Sequence, residues 1–430
     1  MNRRIFLRAA SAAIGASALG QTGQRPNVVV FLSDDMGWAD IGCFGAKDID
    51  TPHIDRLARE GVKLTECYAN GPVCTPTRCG LMTGRYQQRY GKGLEWALLP
   101  SDKNVGLLPS HTTLPRLLKN AGYKTAMFGK WHLGRESQFN PIHHGFDEYF
   151  GLRGGNVDMY SKEDRFKNYD LYDGTEEAPP QPGYLTEMLA ARAEQFIGAN
   201  RKNPFFLYVP FNAVHWPFQG PGKPETVRNL QSWYDGTRAG EYKPMLESMD
   251  AAVGRVMAAL ESQGLGRNTL VIFTNDNGGE RLSDNGPFRH RKATLWEGGI
   301  RVPGIMRWPG KLPAGKVSHQ VCISMDFTAM IAAACGVSAA PGEAFDGMDL
   351  LPVFAGRQPE RERDLFWRIQ QPNVKQRAVR SGKWKLVRDG GIDNLYDLSK
   401  DPGETVDELP RNPEIALALR RKLDQWEHLF

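Results

Sequence analysis

The sequence predicts an α/β fold: a large, mostly parallel central sheet flanked by helices, followed by a smaller C-terminal α+β subdomain carrying an antiparallel sheet. Three observations predict it. Continuous apolar, β-branched runs recur up to about residue 340, each alternates with a segment of helical periodicity, and beyond that point short strands joined by tight turns take over. A chain of 430 residues accommodates one large domain with an appendage, or two domains.

The first element is an address rather than part of the fold. Arg3 and Arg4 precede a short, alanine-rich apolar stretch, and Ala16-Ser17-Ala18 has the small-x-small form of a cleavage site. Residues 1–18 therefore read as a twin-arginine-type signal peptide, too short and weakly apolar to span a bilayer permanently. The expectation is bacterial export, periplasmic or secreted, with no stable membrane insertion.

The larger domain, residues 26–340, begins with "NVVVFL" (27–32), a run that suits a strand buried on both faces. "TPHIDRLAREG" follows as a helix, with Thr51 as cap, Pro52 at the first helical position and Gly61 as stop. "TTLPRLLKNAG" is a second helix and "YKTAMF" (123–128) the strand after it. "LTEMLAARAEQFIGA" is a helix leading to the strand "PFFLYVPF" (204–211). "KPMLESMDAAVGRVMAALESQG" is a long amphipathic helix closed by Gly264, before the strand "TLVIFTN" (269–275). Between them, 91–111, 151–184 and 216–240 lack strong periodicity and read as functional loops. In residues 341–430, "DLFWRI", "QRAVRSGKWKLVRD" and "DNLYDL" read as short strands, and 413–429 as a closing helix.

Composition excludes several classes. The formal net charge of +5 includes three arginines within residues 1–18 and no acid there, so the rest lies closer still to neutrality. With no basic stripe interleaved with aromatics, nucleic acid is not an expected partner. Six cysteines are compatible with an oxidising compartment, but their spread over a large domain suits small buried hydrophobes better than a disulfide framework.

The polar residues gather where ligands bind in open parallel sheets, beyond the carboxyl ends of the strands. After "NVVVFL" come Asp34 and Asp35; after "YKTAMF", Lys130 and His132; after "PFFLYVPF", His215; after "TLVIFTN", Asp276 and Asn277. Any one Asp at a strand end serves equally as a cap or turn former, and a lone His is usually structural. Four strands delivering such groups to one edge point to one site. Asp34, Asp35, Asp276 and Asn277 are hard oxygen donors, suited to Ca²⁺ or Mg²⁺ rather than zinc. Arg78, Lys130, His132, His215 and Lys292 call for an anionic oxygen ligand, a sulfate or phosphate. His143 and His144 read as loop residues.

The stretch "GPVCTPTRCGLMTGRY" (71–86) has two cysteines at a spacing that suits neither a redox pair nor a zinc knuckle. Its "CTPTR" (74–78) matches the C-x-P-x-R core of the sulfatase signature. With "FLSDDMGWAD", "GYKTAMFGKWHLG", "TNDNGG" and "WEGGIRVP", the span from about residue 26 to 310 resembles a type I sulfatase, a formylglycine-dependent, arylsulfatase-like family of the alkaline phosphatase superfamily. "NLYDLSKDPGE" is similar to that family's C-terminal subdomain.

The resemblance implies that a formylglycine-generating maturation enzyme converts Cys74 to formylglycine, whose hydrated form attacks sulfur. It implies that Asp34, Asp35, Asp276 and Asn277 hold Ca²⁺ and that Arg78 and Lys130 steady the diol. His132 would take the proton from its second hydroxyl, while His215 and Lys292 bind sulfate and protonate the leaving oxygen. Cys79 is expected to be a packed small residue. The sequence departs from the family in "RHRK", where His290 and Arg291 replace a glycine-rich turn before Lys292; they either shape the mouth of the site or contact a sulfated or carboxylated sugar, or are solvated loop charges.

The expected function is sulfate-ester hydrolysis, on a sulfated glycan in preference to a small aryl sulfate. The alternatives are a phosphomonoester or phosphonate-monoester hydrolase and an exported anion-binding protein without activity. Trp96, Tyr160, Trp216 and Trp233, in or near the long loops, either stack on sugar rings or pack the loops.

Overall fold

The computed structural model describes residues 25–224 and 230–430, so the signal-peptide reading of residues 1–18 lies outside the described residues. The principal elements of the large sheet region are β1 (Asn27–Ser33), α1 (Pro52–Arg59), β2 (Val62–Tyr68), α2 (Cys74–Thr83), α3 (Leu114–Asn120), β3 (Lys124–Phe128) and β4 (Glu148–Gly151). They continue with α4 (Leu185–Ala199), β5 (Phe205–Pro210), α5 (Lys243–Ser262), β6 (Thr269–Asn275), β7 (Arg301–Arg307) and α6 (Ser324–Cys335). The C-terminal part holds β8 (Asp364–Gln370), β9 (Lys375–Ser381), β10 (Trp384–Asp389), β11 (Ile392–Asp397) and α7 (Pro413–Glu427).

The central sheet runs β2–β7–β6–β1–β5–β3–β4, with short strands extending both edges. Of these seven, only β7 runs against the others. The apolar runs are continuous because both faces are covered. Val29 and Phe31 of β1, Leu207 and Val209 of β5, and Val271 and Phe273 of β6 pack into one core with side chains of α1, α4 and α5. Val28, Val30, Leu32, Phe206, Tyr208, Leu270 and Ile272 face the other core, with α2, α3 and α6. Successive strand residues thus feed opposite layers, as the two-residue period of a strand requires.

The C-terminal sheet is antiparallel in the order β8–β9–β10–β11. It packs with α7 on a third core that includes Trp296, Trp367 and Trp426. A buried ion cluster joins it to the large sheet region: Lys385 Nζ lies 2.8 Å from both Glu297 and Glu404 carboxylates.

Two local expectations are corrected. Thr51 precedes α1, but its hydroxyl donates to Asp55 Oδ1 (3.1 Å) and accepts from the Gly42 amide (2.8 Å). Asp250 of α5 instead accepts from the His53 and Ile54 amides (3.2 and 2.8 Å), so the cap comes from a neighbouring helix. His144 is buried against Trp131, not a free loop residue. All six cysteines are free, and all but Cys43 are buried, Cys79 among them. No helix among the described residues is long and apolar enough to cross a membrane.

Candidate active site

Strands β6, β1, β5 and β3 lie side by side and parallel, so their carboxyl ends open on one edge. Asp34 and Asp35 follow β1 directly, Asp276 follows β6, and Lys130 stands one glycine beyond β3. Gly129 permits that step: a Cβ there would lie 1.9 Å from the Pro210 carbonyl oxygen of the adjacent strand. Asp35 and His132 adopt left-handed backbone (φ 62° and 54°), which costs on the order of 1–2 kcal/mol for a non-glycine residue.

Cys74 is the first residue of α2, and all ten residues of that helix are buried. Its Sγ lies 3.5 Å from Asp34 Oδ1 and 3.4 Å from Lys130 Nζ. Ligand atoms of Asp34, Asp35, Cys74 and His215 all fall within 4.8 Å of one another. Asp276 is held by Arg78, whose Nε and Nη2 donate to its Oδ2 at 3.2 and 2.8 Å. Arg78 Nη1 also donates to the Lys130 carbonyl (2.8 Å), and Nη2 lies 3.7 Å from Asp34 Oδ2. Lys130 Nζ pairs with Asp34 Oδ2. Lys292 Nζ pairs with Asp35 Oδ2 at 2.6 Å, and Asn277 Nδ2 donates to Asp35 Oδ1 at 2.8 Å. Nine of the ten sequence-derived residues therefore meet through direct side-chain contacts.

The tenth, His132, joins at one remove. Thr75 Oγ1 donates to its carbonyl (3.0 Å), and its ring turns to the Leu98 carbonyl, 2.8 Å from Nε2. A carbonyl only accepts, so Nε2 carries the hydrogen and Nδ1 keeps a lone pair, which has no partner. The same logic applied to His215 puts the hydrogen on Nδ1, 2.6 Å from the Trp216 carbonyl. Its Nε2 then faces Asp35 Oδ2 at 3.4 Å, two acceptors opposed unless a proton or a cation lies between them.

The electrostatics follow from burial. Burial, and Asp276 next to it, pushes the Asp34 carboxyl up to about 7 despite Lys130 and Arg78. Burial acts on Asp35 in the same sense, but Lys292, His215 and Lys130 outweigh it and hold that carboxyl below the usual range. Burial pushes the Cys74 thiol up, so an unmodified thiol is a poor nucleophile here. Burial, reinforced by Lys130, lowers His132; burial lowers His215 likewise, so both rings are neutral near pH 7.

The donor set fits a hard divalent cation. Asp34 and Asp35 bring carboxylate oxygens within 4.8 Å of each other, Asp276 Oδ1 accepts from the Asp35 amide (3.3 Å), and Asn277 Oδ1 beside them is buried with no hydrogen-bond partner. Asn275 was not anticipated: it accepts from Ser33 Oγ (2.7 Å) and donates to the Met36 carbonyl (2.7 Å), tying the strand ends together. The run "TNDNGG" placed it one residue too early to stand out. Of the loop aromatics, Trp233 is buried and Trp96, Tyr160 and Trp216 are half-buried. Trp216 lies against His215, Trp233 and Tyr234 (4.5, 6.1 and 4.6 Å between ring centres). For Trp233, which is buried, this is the loop-packing reading of the two. His290 and Arg291 are exposed, with His290 resting on Trp296.

Two family models and several relatives match the chain. Residues 26–337 match the Sulfatase family model, and 286–428 match the model of the N-sulphoglucosamine sulphohydrolase C-terminal region. The chain is 34% identical to N-acetylgalactosamine-6-sulfatase of Canis lupus familiaris over 379 residues, covering 82% of this chain and 71% of the relative. It is 33% identical to arylsulfatase A of Homo sapiens, covering 92% of this chain and 86% of the relative. Among solved structures, Ps i-CgsB in complex with k-i-k-neocarrahexaose superimposes with a TM-score of 0.86 at 29% identity, over 94% of this chain and 93% of that one.

Proposed function

The chain belongs to the sulfatase family of sulfuric ester hydrolases, and from that premise we propose that it removes sulfate from a carbohydrate, using formylglycine made from Cys74 and a bound Ca²⁺. The observation that carries the reading is the buried cluster in which Cys74 lies within hydrogen-bonding reach of both Asp34 and Lys130.

Asp34, Asp35, Asp276 and Asn277 would hold the calcium, which supplies Lewis acidity toward a sulfate oxygen and lowers the pKa of a hydroxyl beside it. Formylglycine, made by a maturation enzyme and hydrated, supplies a hydroxyl nucleophile and a second hydroxyl to be deprotonated. The other roles fall to residues of the chain. Lys130 and Arg78 hold fixed positive charge where negative charge develops, so no reorganisation is needed at the moment of reaction. Lys292 is fixed by Asp35 and binds a sulfate oxygen. His132, neutral with its lone pair on Nδ1, takes a proton there. His215, with Nδ1 held by the Trp216 carbonyl, would protonate the leaving oxygen from Nε2 when the ring carries its second proton, and the Lys292 ammonium shares that role.

The N-acetylgalactosamine-6-sulfatase relative and the neighbour solved with k-i-k-neocarrahexaose support a sugar substrate. The twin-arginine-like start supports export to the periplasm or beyond, where sulfated glycans are met. We take the catalytic domain as residues 26–340 and the smaller subdomain as 341–430, joined through Lys385 and Glu297. Sulfate release from a panel of defined sulfated saccharides, beside 4-nitrophenyl sulfate and 4-nitrophenyl phosphate, tests the reading. Saccharide desulfation is expected. Brisk aryl-sulfate turnover with no saccharide cleaved would reverse the substrate class, and faster phosphate cleavage would reverse the reaction class.

A further inference from the structure

A small cleft adjoins His132, walled by Leu98, Asp102, Gly134, Arg153 and Gly155 as well as by His132 itself. Backbone pairing builds it: the Trp131 amide donates to the Leu152 carbonyl (2.9 Å) and the His132 amide to the Arg153 carbonyl (3.2 Å). Arg153 therefore stands beside a residue already assigned to the chemistry. Gly155 keeps the floor open, since a Cβ there would come within 3.0 Å of the His132 ring.

The side chains of the cleft differ in what they have left to offer. Asp102 Oδ2 accepts from the Leu99 amide (2.8 Å), and Arg135 is paired with Asp164 (2.7 Å). Beneath the cleft, Asp170 accepts from the Arg153 and Gly154 amides (3.2 and 2.8 Å). Arg153 is 9% exposed, its guanidinium lies 3.6 Å over the Tyr172 ring, and its Nε and Nη1 have no hydrogen-bond partner. A permanently charged group with unused donors is costly to bury, and such orphans in native folds call for a ligand or a function. The aromatic face beneath holds the guanidinium plane without using its N–H groups. The cleft volume of about 20 Å³ is close to what one water occupies, so the cleft takes the tip of an anionic substituent and not a sugar ring.

We propose that Arg153 forms a subsite for a second oxyanion, a sulfate or a carboxylate, on the saccharide whose sulfate ester is cleaved. This rests on the carbohydrate reading above and adds to it: the preferred substrate carries two negative groups, one at the reacting cluster and one reaching past His132 to Arg153. Arg suits this role because its planar fork matches the paired oxygens of either group.

The test uses the matured full-length enzyme and three probes: a monosulfated disaccharide, its disulfated analogue, and a monosulfated analogue containing a hexuronic acid. Wild type is expected to show kcat/KM at least about tenfold higher for one of the doubly charged probes, whichever anion that is. Arg153→Gln should erase that ratio, and Arg153→Lys should restore part of it. Comparing ratios within one protein keeps the result readable even where a variant is less stable. Equal kcat/KM for all three probes in wild type, or a ratio surviving in Arg153→Gln, overturns the subsite while leaving the carbohydrate reading intact. No release from any of the three, with 4-nitrophenyl sulfate cleaved, overturns both.

Discussion

Arg78 grips Asp276 with two donors on a single carboxylate oxygen, and neither side chain is more than 1% exposed. The pair links α2, which begins at Cys74, to the end of β6, while the third guanidinium nitrogen holds the Lys130 carbonyl beyond β3. Three distant parts of the chain are thereby fixed around one point.

Removing one partner of a buried ion pair leaves the other charge uncompensated. Arg78→Ala is therefore expected to lower stability by about 3–5 kcal/mol and to abolish sulfate release. Arg78→Lys keeps the charge but loses the fork, so it should recover more stability than turnover. Urea midpoints beside initial rates measure both; a fully active Arg78→Ala would contradict the assignment.

Calcium binding should be visible without turnover. A chelator is expected to lower the melting temperature and added calcium to restore it, because a ligand bound only by the folded state stabilises that state. Asn277→Ala removes an oxygen that has no other partner, and calorimetric titration should show calcium held about tenfold more weakly. An unchanged affinity would remove Asn277 from the ligand set.

His144 makes stability sensitive to acid. Its ring is buried with neither nitrogen hydrogen-bonded, and burial, followed by Arg116, His143 and His111, pushes its pKa down to about 3. The unfolded chain takes up that proton near pH 6.5, so the contribution is complete above about 6.5. It is lost as pH falls toward 3, by up to about 1.4 kcal/mol per unit. His144→Phe has no such proton in either state. Its urea midpoint should change less between about pH 7.5 and pH 5 than that of wild type, and equal slopes would show that His144 is not responsible.

The sequence made the strand ends legible because a parallel sheet brings every carboxyl end to one edge, so residues following four apolar runs had to meet. The alternation of "DLFWRIQ" is equally direct, since Leu365, Trp367 and Ile369 are the buried positions of β8. Helix α2 was hidden by its success as a core element: all ten residues are buried, so no polar face marks a helical period. Thr51 and His144 misled because the groups that decide them, Asp250 and Trp131, lie elsewhere in the chain. The tryptophans of the loops carry no local sign of whether they face solvent or one another. Arg153 escaped notice for the same reason, since only the pairing of residues 131–132 with 152–153 puts it beside His132.

The most direct test is the chemical state of residue 74 in protein made by cells that possess a maturation system, read together with the activity of the same sample. Mass spectrometry of the peptide spanning residue 74 should find an aldehyde or its hydrate, sulfate release should scale with the aldehyde fraction, and Cys74→Ala should release none. Full activity in a sample holding only the free thiol, or in Cys74→Ala, would contradict the account.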